Sequence, residues 1–251
     1  KRCQRLGRGF NSLLPLQFYS MNLNRISIFL ITGLSILAVY CSLTVGMSWD
    51  EPWHHGNGLF RIEFLKSLIG KSQHHDQLNY KWAEYYPGLY DTLSVFLFNL
   101  ISKVFSPKHI TEIKHLINLS FSFFSLIGLF LISKKLFNKE IAYLAVVLCL
   151  LNPFFFGHLS INPKDPIIFF SLVWFAYFVL KYCENFNKKN LQYLLFASIF
   201  MGFGLGVRIS FFVITIPIIL SALIYLFRNL KPKINNFYKK IFIDLVIFFL
   251  I

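Results

Sequence analysis

The sequence predicts an all-α protein: a polytopic transmembrane helix bundle with a long first external loop that carries surface helices. Hydrophobic residues make up 56% of the 251 residues and the mean hydropathy is +0.58, a composition unlike that of soluble globular proteins. Several apolar runs approach the ~20 residues that a helix needs to cross a bilayer. The net charge is +14, but the basic residues concentrate in short loops between the runs. That pattern indicates membrane orientation, and we expect no nucleic-acid partner.

The apolar runs give the order of the predicted helices. They lie at residues 26–47, 89–105, 115–133, 141–157, 166–181, 191–207, 209–227 and 241–251. We expect residues 1–25 to form a cytoplasmic tail and residues 26–251 to form the transmembrane domain. The first run is too long for a removable signal and lacks a small-residue cleavage site, so we interpret it as an anchor. The last run stops with the sequence, and we expect the chain to be the N-terminal part of a longer protein.

The run at 89–105 is predicted not to cross the membrane. It contains Asp91 and Asn99 and is only marginally long enough to span. If it stays outside, eleven basic residues of the short loops fall on the cytoplasmic side: Lys134, Lys135, Lys139, Lys181, Lys188, Lys189, Arg228, Lys231, Lys233, Lys239 and Lys240. The positive-inside rule favours this arrangement. Residues 48–112 then form one external loop, and the N-terminus is cytoplasmic.

Two adjacent carboxylates, Asp50 and Glu51, directly follow the first apolar run. Charged groups at the mouth of a membrane helix are costly, and the chain has only 11 acidic residues. Capping of a following helix would explain one carboxylate, but neither the second nor the nearby His54 and His55. The segment 52–70 is amphipathic and too polar to span, which predicts a helix on the membrane surface.

A second group of charges is predicted at the same face of the membrane. Asp165 before Pro166 has an ordinary explanation as a helix N-cap with proline at the first position. The predicted topology nevertheless places Lys164 and Asp165 on the side of Asp50, and a lysine near a helix N-terminus suits a phosphate. Arg208 is either a turn residue that snorkels to the interface or a charge directed at an anionic lipid head.

The first external loop carries further candidates for substrate binding, namely Lys81, Glu84 and Tyr85. Aromatic residues at a membrane interface are commonly anchors, which is the alternative for Tyr85. Glu84 is also a candidate to complete an acidic cluster with Asp50.

The histidine pairs raise the possibility of a metal. Adjacent residues on a helix face different directions, so neither His54–His55 nor His74–His75 is a chelate by itself. The four cysteines show no spacing typical of zinc sites or of a disulfide framework. We therefore expect no metal site and no cofactor. A divalent ion held by Glu84 and one histidine is the alternative.

Together these features resemble the GT-C type of membrane glycosyltransferases, in the branch of the protein O-mannosyltransferases and the lipid A aminoarabinose transferase. Members of that branch have a cytoplasmic N-terminus, one span, and an Asp or Asp-Glu immediately outside. A long loop follows, with surface helices and a Tyr/Lys-Pro-rich segment before an apolar helix. A basic cytoplasmic turn and a short external loop with an Asp come later. The matching positions here are Asp50-Glu51, Tyr85-Tyr86-Pro87, Asp165 and the basic turn at 133–140.

The resemblance implies transfer of a sugar from a polyprenyl-phosphate donor to an acceptor hydroxyl on a lipid, glycan or protein at the external or luminal face. One direct displacement would invert the anomeric carbon. Asp50 is the expected general base, and Glu51 or Asp165 would orient the acceptor or stabilise positive charge on the sugar ring. Lys164 and Arg208 would stabilise the departing phosphate.

The chain departs from the branch where Tyr86-Pro87-Gly88 replaces a Lys-Pro-Pro motif, so Lys81 or Lys164 would have to supply the phosphate-binding lysine. The expected substrate-binding set is Lys81, Glu84, Tyr85, His54, His55, Lys164 and Arg208.

Two other functions are alternatives for this sequence. A transporter or flippase for a lipid-linked or anionic solute would need ionisable groups within its spans. The predicted spans lack such groups except Asp244. A polymerase or ligase of surface polysaccharide is the second alternative, which the early Asp50-Glu51 pair disfavours. We expect a multi-pass protein in contact with membrane lipids, in a bacterial inner membrane.

Overall fold

A computed structural model describes residues 13–70, 87–103, 109–186, 191–229 and 237–250. Within these ranges the regular structure is entirely helical, which confirms the predicted all-α class. The helices are α1 (Leu13–Thr44), α2 (Glu51–Leu68), α3 (Leu89–Ile101), α4 (Ile110–Leu136), α5 (Lys139–Leu151), α6 (Pro153–His158), α7 (Asp165–Glu184), α8 (Leu191–Val207), α9 (Phe211–Asn229) and α10 (Phe237–Leu250).

Four stretches in the described part of the chain are long and apolar enough to cross a bilayer: Leu23–Thr44 of α1, and α4, α7 and α9. Helix α8 is apolar and has 17 residues. Helix α3 has only 13 residues, about 20 Å of helix, and is therefore too short to span the ~30 Å hydrocarbon layer alone. That the run at 89–105 does not cross stays a prediction, because α5, which belongs to a predicted span, also has 13 residues.

The predicted run at 141–157 is not one straight helix. Helix α5 ends at Leu151, and Asn152 adopts an extended conformation with ψ of 116°. The side-chain oxygen of Asn152 then accepts hydrogen bonds from the backbone N–H groups of Phe154 and Phe155, at 3.0 and 3.1 Å. With Pro153 at the first position, these bonds start α6 in a new direction.

Helix α7 lies between α4 and α8 and organises the bundle. Phe175 of α7 is completely buried in a cluster with side chains of α8, α9 and α10. On its other side, α7 approaches α4 closely at Gly128, where an added Cβ would lie 2.6 Å from Val173. A small residue at this crossing lets two membrane helices approach closely.

Two sets of helix ends lie at opposite ends of the bundle. At one end, the end of α1 and the starts of α2 and α4 meet, because His115 contacts both Ser42 and Glu51. At the other end, Lys135 and Glu184, at the ends of α4 and α7, form an ion pair of 2.7 Å. The polar groups considered next all lie at the first end.

Candidate active site

Asp50 lies in the turn between α1 and α2 with its carboxylate facing outward. It occupies the N-cap position of α2, but its side chain makes no capping hydrogen bond. Instead the Ser48 hydroxyl lies 2.8 Å from Oδ1 of Asp50. The Asp50 side chain is 42% exposed. This is the geometry of a carboxylate that is held in place and still open to a substrate.

Glu51, the next residue, faces the opposite way. It is only 6% exposed, and its Oε1 lies 2.9 Å from Nε2 of His115 and 3.1 Å from the Ser48 hydroxyl. The second nitrogen of His115, Nδ1, is 3.1 Å from the carbonyl oxygen of Ser42. The other oxygen, Oε2 of Glu51, is buried without a hydrogen-bond partner among the described residues. Glu51 therefore faces the helix bundle and not the solvent.

A second buried pair anchors α2 to α3. Nδ1 of His54 lies 3.0 Å from Oδ1 of Asp91, and Asn57 donates to the other Asp91 oxygen. Arg61 donates to Asn57 over 3.2 Å. The remaining nitrogen of His54, Nε2, is 3.9 Å from Oδ2 of Asp50. These contacts connect the exposed carboxylate to a polar network that fixes the start of α2.

A cavity of about 20 Å³ lies behind the Asp50 turn, which is room for about one water molecule. Its lining includes Glu51, His54, His55, Tyr90, Asp91, Lys114 and Asn118. The ring of His55 contacts Phe98 edge-on, and its Nδ1 is buried without a partner in the described part of the chain. Burial, assisted by the nearby Lys114 ammonium, lowers the pKa of His55 to about 4. His55 is therefore neutral at pH 7.

The α6–α7 connection contributes the second group of charges. Asn162 accepts hydrogen bonds from the backbone N–H groups of Lys164 and Asp165, at 2.8 and 3.1 Å, and thereby fixes the turn that leads into α7, whose N-cap residue is Lys164. Asp165 is thus not the capping side chain that the sequence suggested. It is exposed, receives a hydrogen bond from Asn162 at 3.0 Å, and forms an ion pair of 3.3 Å with Arg208 from the α8–α9 turn. His158 lies 3.6 Å from the same carboxylate.

The two groups of charges meet at Trp53. The Lys164 ammonium lies 5.7 Å from the centre of the Trp53 ring, within the range of a cation–π contact. Trp53 in turn packs edge-on against His54, which neighbours Asp50. The structure therefore brings Asp50, Lys164 and the Asp165–Arg208 pair to one side of the bundle.

Some candidates lie outside the described residues. Lys81, Glu84, Tyr85 and the pair His74–His75 fall outside the described ranges. Within those ranges, no group of three or more His, Cys, Asp or Glu side chains is arranged to hold a metal ion.

Sequence reasoning missed several members of the buried network. The residues predicted from sequence do not include His115, Asn118 or Tyr90, and they include Asp91 only as a residue that disfavours a span. Tyr90 donates a hydrogen bond to Asn118, whose amide donates to the carbonyl of Ser160 over 2.8 Å. The available signal was the cost of burying polar side chains in an apolar helix, since such residues need partners.

Comparison with known proteins identifies the family. Residues 93–251 match the family model described as dolichyl-phosphate-mannose-protein mannosyltransferase. This region includes His115, Lys164, Asp165 and Arg208, whereas Asp50 precedes it. No curated protein and no solved structure matches the chain. The match covers more than half of the sequence and agrees with the apolar helical bundle, and the chain therefore belongs to this family of GT-C type membrane glycosyltransferases.

Proposed function

We propose that the protein transfers a sugar from a polyprenyl-phosphate donor to an acceptor hydroxyl at the external or luminal face, with Asp50 as the general base. The observation that carries the proposal is the convergence of an exposed carboxylate with two cations at one end of the bundle. The Lys164 ammonium reaches Trp53 beside the Asp50 turn, and Arg208 lies next to Lys164 through its ion pair with Asp165. The family match supports a lipid-linked sugar donor in general.

The proposed reaction is a single displacement. The acceptor oxygen attacks the anomeric carbon while the bond from that carbon to the phosphate oxygen breaks. Asp50 takes the proton of the acceptor hydroxyl. The departing polyprenyl phosphate keeps the electron pair of the broken bond, and its charge is stabilised by Lys164 and Arg208. Attack from the face opposite the phosphate inverts the anomeric carbon.

The surroundings of Asp50 suit this role. The Ser48 hydroxyl fixes one carboxylate oxygen, and the other oxygen faces outward near His54, where an acceptor hydroxyl can approach. Because Glu51 faces inward, we assign it a supporting role and leave direct contact with the acceptor to Asp50. Asp165 would orient Arg208 toward the phosphate.

An Asp50→Asn variant tests the proposal. The amide keeps the shape and the hydrogen bond from Ser48 but cannot accept the proton, so we expect turnover to fall by about 100-fold or more while donor binding persists. The measurement is transfer of radiolabelled mannose from mannosyl-phosphoryl-polyprenol by protein in lipid vesicles, with donor binding measured separately. The matched control is Glu140→Gln, at the start of α5 near the opposite end of the bundle. Normal turnover in Asp50→Asn would refute Asp50 as the base.

A further inference from the structure

His115 and Glu51 share one proton. The carbonyl oxygen of Ser42 can only accept a hydrogen bond, so Nδ1 of His115 must carry a hydrogen. Nε2 lies 2.9 Å from Oε1 of Glu51. Either an imidazolium donates to a carboxylate, or a protonated Glu51 donates to a neutral imidazole. In both forms the pair contains one proton and has no net charge.

The Ser48 hydroxyl connects this pair to Asp50. Its oxygen lies 2.8 Å from Oδ1 of Asp50 and 3.1 Å from Oε1 of Glu51, yet a hydroxyl has only one hydrogen to donate. Two ionised carboxylates at one hydroxyl would repel each other, which favours protonation of one of them. Because His115 already supplies a proton to Glu51, Ser48 is free to donate over the shorter distance to Asp50.

We propose that His115 is a positioning residue that neutralises Glu51, so that Ser48 orients Asp50 and Asp50 stays ionised beside its buried neighbour. The inference deepens the proposed function and rests on Asp50 as the base. His115 touches no substrate in this scheme: it acts through Glu51 and Ser48. The pair is buried, since His115 is 0% exposed and Glu51 6%, so bulk water has little access to the shared proton.

Other titratable and charged groups lie around Glu51, His115 and Asp50 and influence their charges. The titratable neighbours are His54 and His55 on α2, Tyr90 and Asp91 on α3, and Glu112 and Lys114 on α4, with Lys164 approaching through Trp53. Lys114 is attracted to both Glu51 and Asp91, whereas Asp91 is already paired with His54 and Asn57. Within the described residues, His115 is the group in direct contact with Glu51 that can carry a compensating proton.

An infrared titration of the protein in lipid nanodiscs tests the inference without substrate. The carboxylate band of Asp50 is identified by its loss in Asp50→Asn, and its protonation is followed against pH. In His115→Gln, which keeps a hydrogen-bond donor but no titratable ring, we expect Asp50 to take up its proton at a pH higher by about one unit. The control is His109→Gln on the exposed start of α4, where the titration of Asp50 should not move.

A double-variant comparison separates this mechanism from a general structural role. If His115 acts by neutralising Glu51, then His115→Gln should have no effect on Asp50 in a Glu51→Gln background. Glu51→Gln alone should leave the Asp50 titration nearly unchanged, which also keeps the inference testable if His115→Gln does not fold. Three outcomes would overturn the inference. The Asp50 titration could move to lower pH by about one unit in Glu51→Gln, or stay unchanged in His115→Gln. His115→Gln could also shift the Asp50 titration equally in the wild-type and Glu51→Gln backgrounds.

The rate of mannose transfer against pH supplies the functional readout. We expect the acidic limb of this profile to move to higher pH in His115→Gln by the same amount as the infrared titration. Full turnover in Asp50→Asn would refute the proposed function while leaving the infrared result intact. Conversely, an inactive Asp50→Asn with a His115→Gln profile identical to wild type would refute only the role of His115.

Discussion

Asp91 offers a direct test of how the start of α2 is held in place. Its carboxylate is 5% exposed, and its two oxygens contact Nδ1 of His54 and the amide of Asn57. Asp91→Ala removes both acceptors and leaves two buried polar groups without partners. Breaking a buried pair from one side costs about 3–5 kcal/mol, so we expect the free energy of unfolding to fall by that amount.

Asp165→Ala is the matched control, because the same substitution there removes an exposed carboxylate. The Asp165 side chain is 50% exposed and its ion pair with Arg208 is 3.3 Å long. Exposed pairs contribute about 0–1 kcal/mol, so the two variants should differ by at least 2 kcal/mol. Unfolding by a denaturing detergent in mixed micelles, followed by circular dichroism, measures both. A loss of under 1 kcal/mol in Asp91→Ala would refute the claim that this network anchors α2.

Two further predictions concern the same helix. In Gly58→Ala the new Cβ would lie 2.3 Å from the Asp91 carbonyl oxygen, so α2 and α3 must separate at a cost of about 1–3 kcal/mol in the same assay. At Gly202 an added Cβ meets nothing within 4 Å, so Gly202→Ala should leave the free energy of unfolding unchanged. Equal free energies of unfolding for Gly58→Ala and Gly202→Ala would contradict the close packing at Gly58. For His55, the unfolded chain takes up a proton near pH 6.5 and the folded protein only near pH 4, so stability falls as the pH drops through this interval. His55→Leu should flatten that dependence in thermal unfolding followed against pH, and an unchanged slope would contradict the assigned burial.

Charge patterning predicts which helix ends lie together, but it does not predict which side chains contact one another there. The excess of basic residues in alternate loops predicts that Asp50, Asp165 and Arg208 lie at one face, and in the structure the three lie at one end of the bundle. Loop charge reports orientation because it depends only on which side of the membrane each loop occupies. Hydropathy alone missed the break at Asn152, although an Asn-Pro step is a recognised start signal for a helix.

The partners of buried polar residues could not be predicted in the same way. His115 lies 64 positions from Glu51 and 73 from Ser42, and only the packing of α1, α2 and α4 brings the three together. A polar residue in an apolar run signals that it needs a partner, but many residues could satisfy that need. The contact between Lys164 and Trp53 depends in the same way on how the α6–α7 connection lies against α2.

The carboxylate pair illustrates what adjacency in sequence does and does not determine. Successive residues at a helix start point about 100° apart, so Asp50 and Glu51 can lie in different environments. The sequence predicts both at the site and does not indicate that one of them is buried. His115 decides this, because it offers a partner inside the bundle to Glu51 and leaves the exposed direction to Asp50. Chemically similar neighbours thus acquire separate environments through one residue of another helix, and substitutions at His115 therefore test the proposed site as well as substitutions at the carboxylates do.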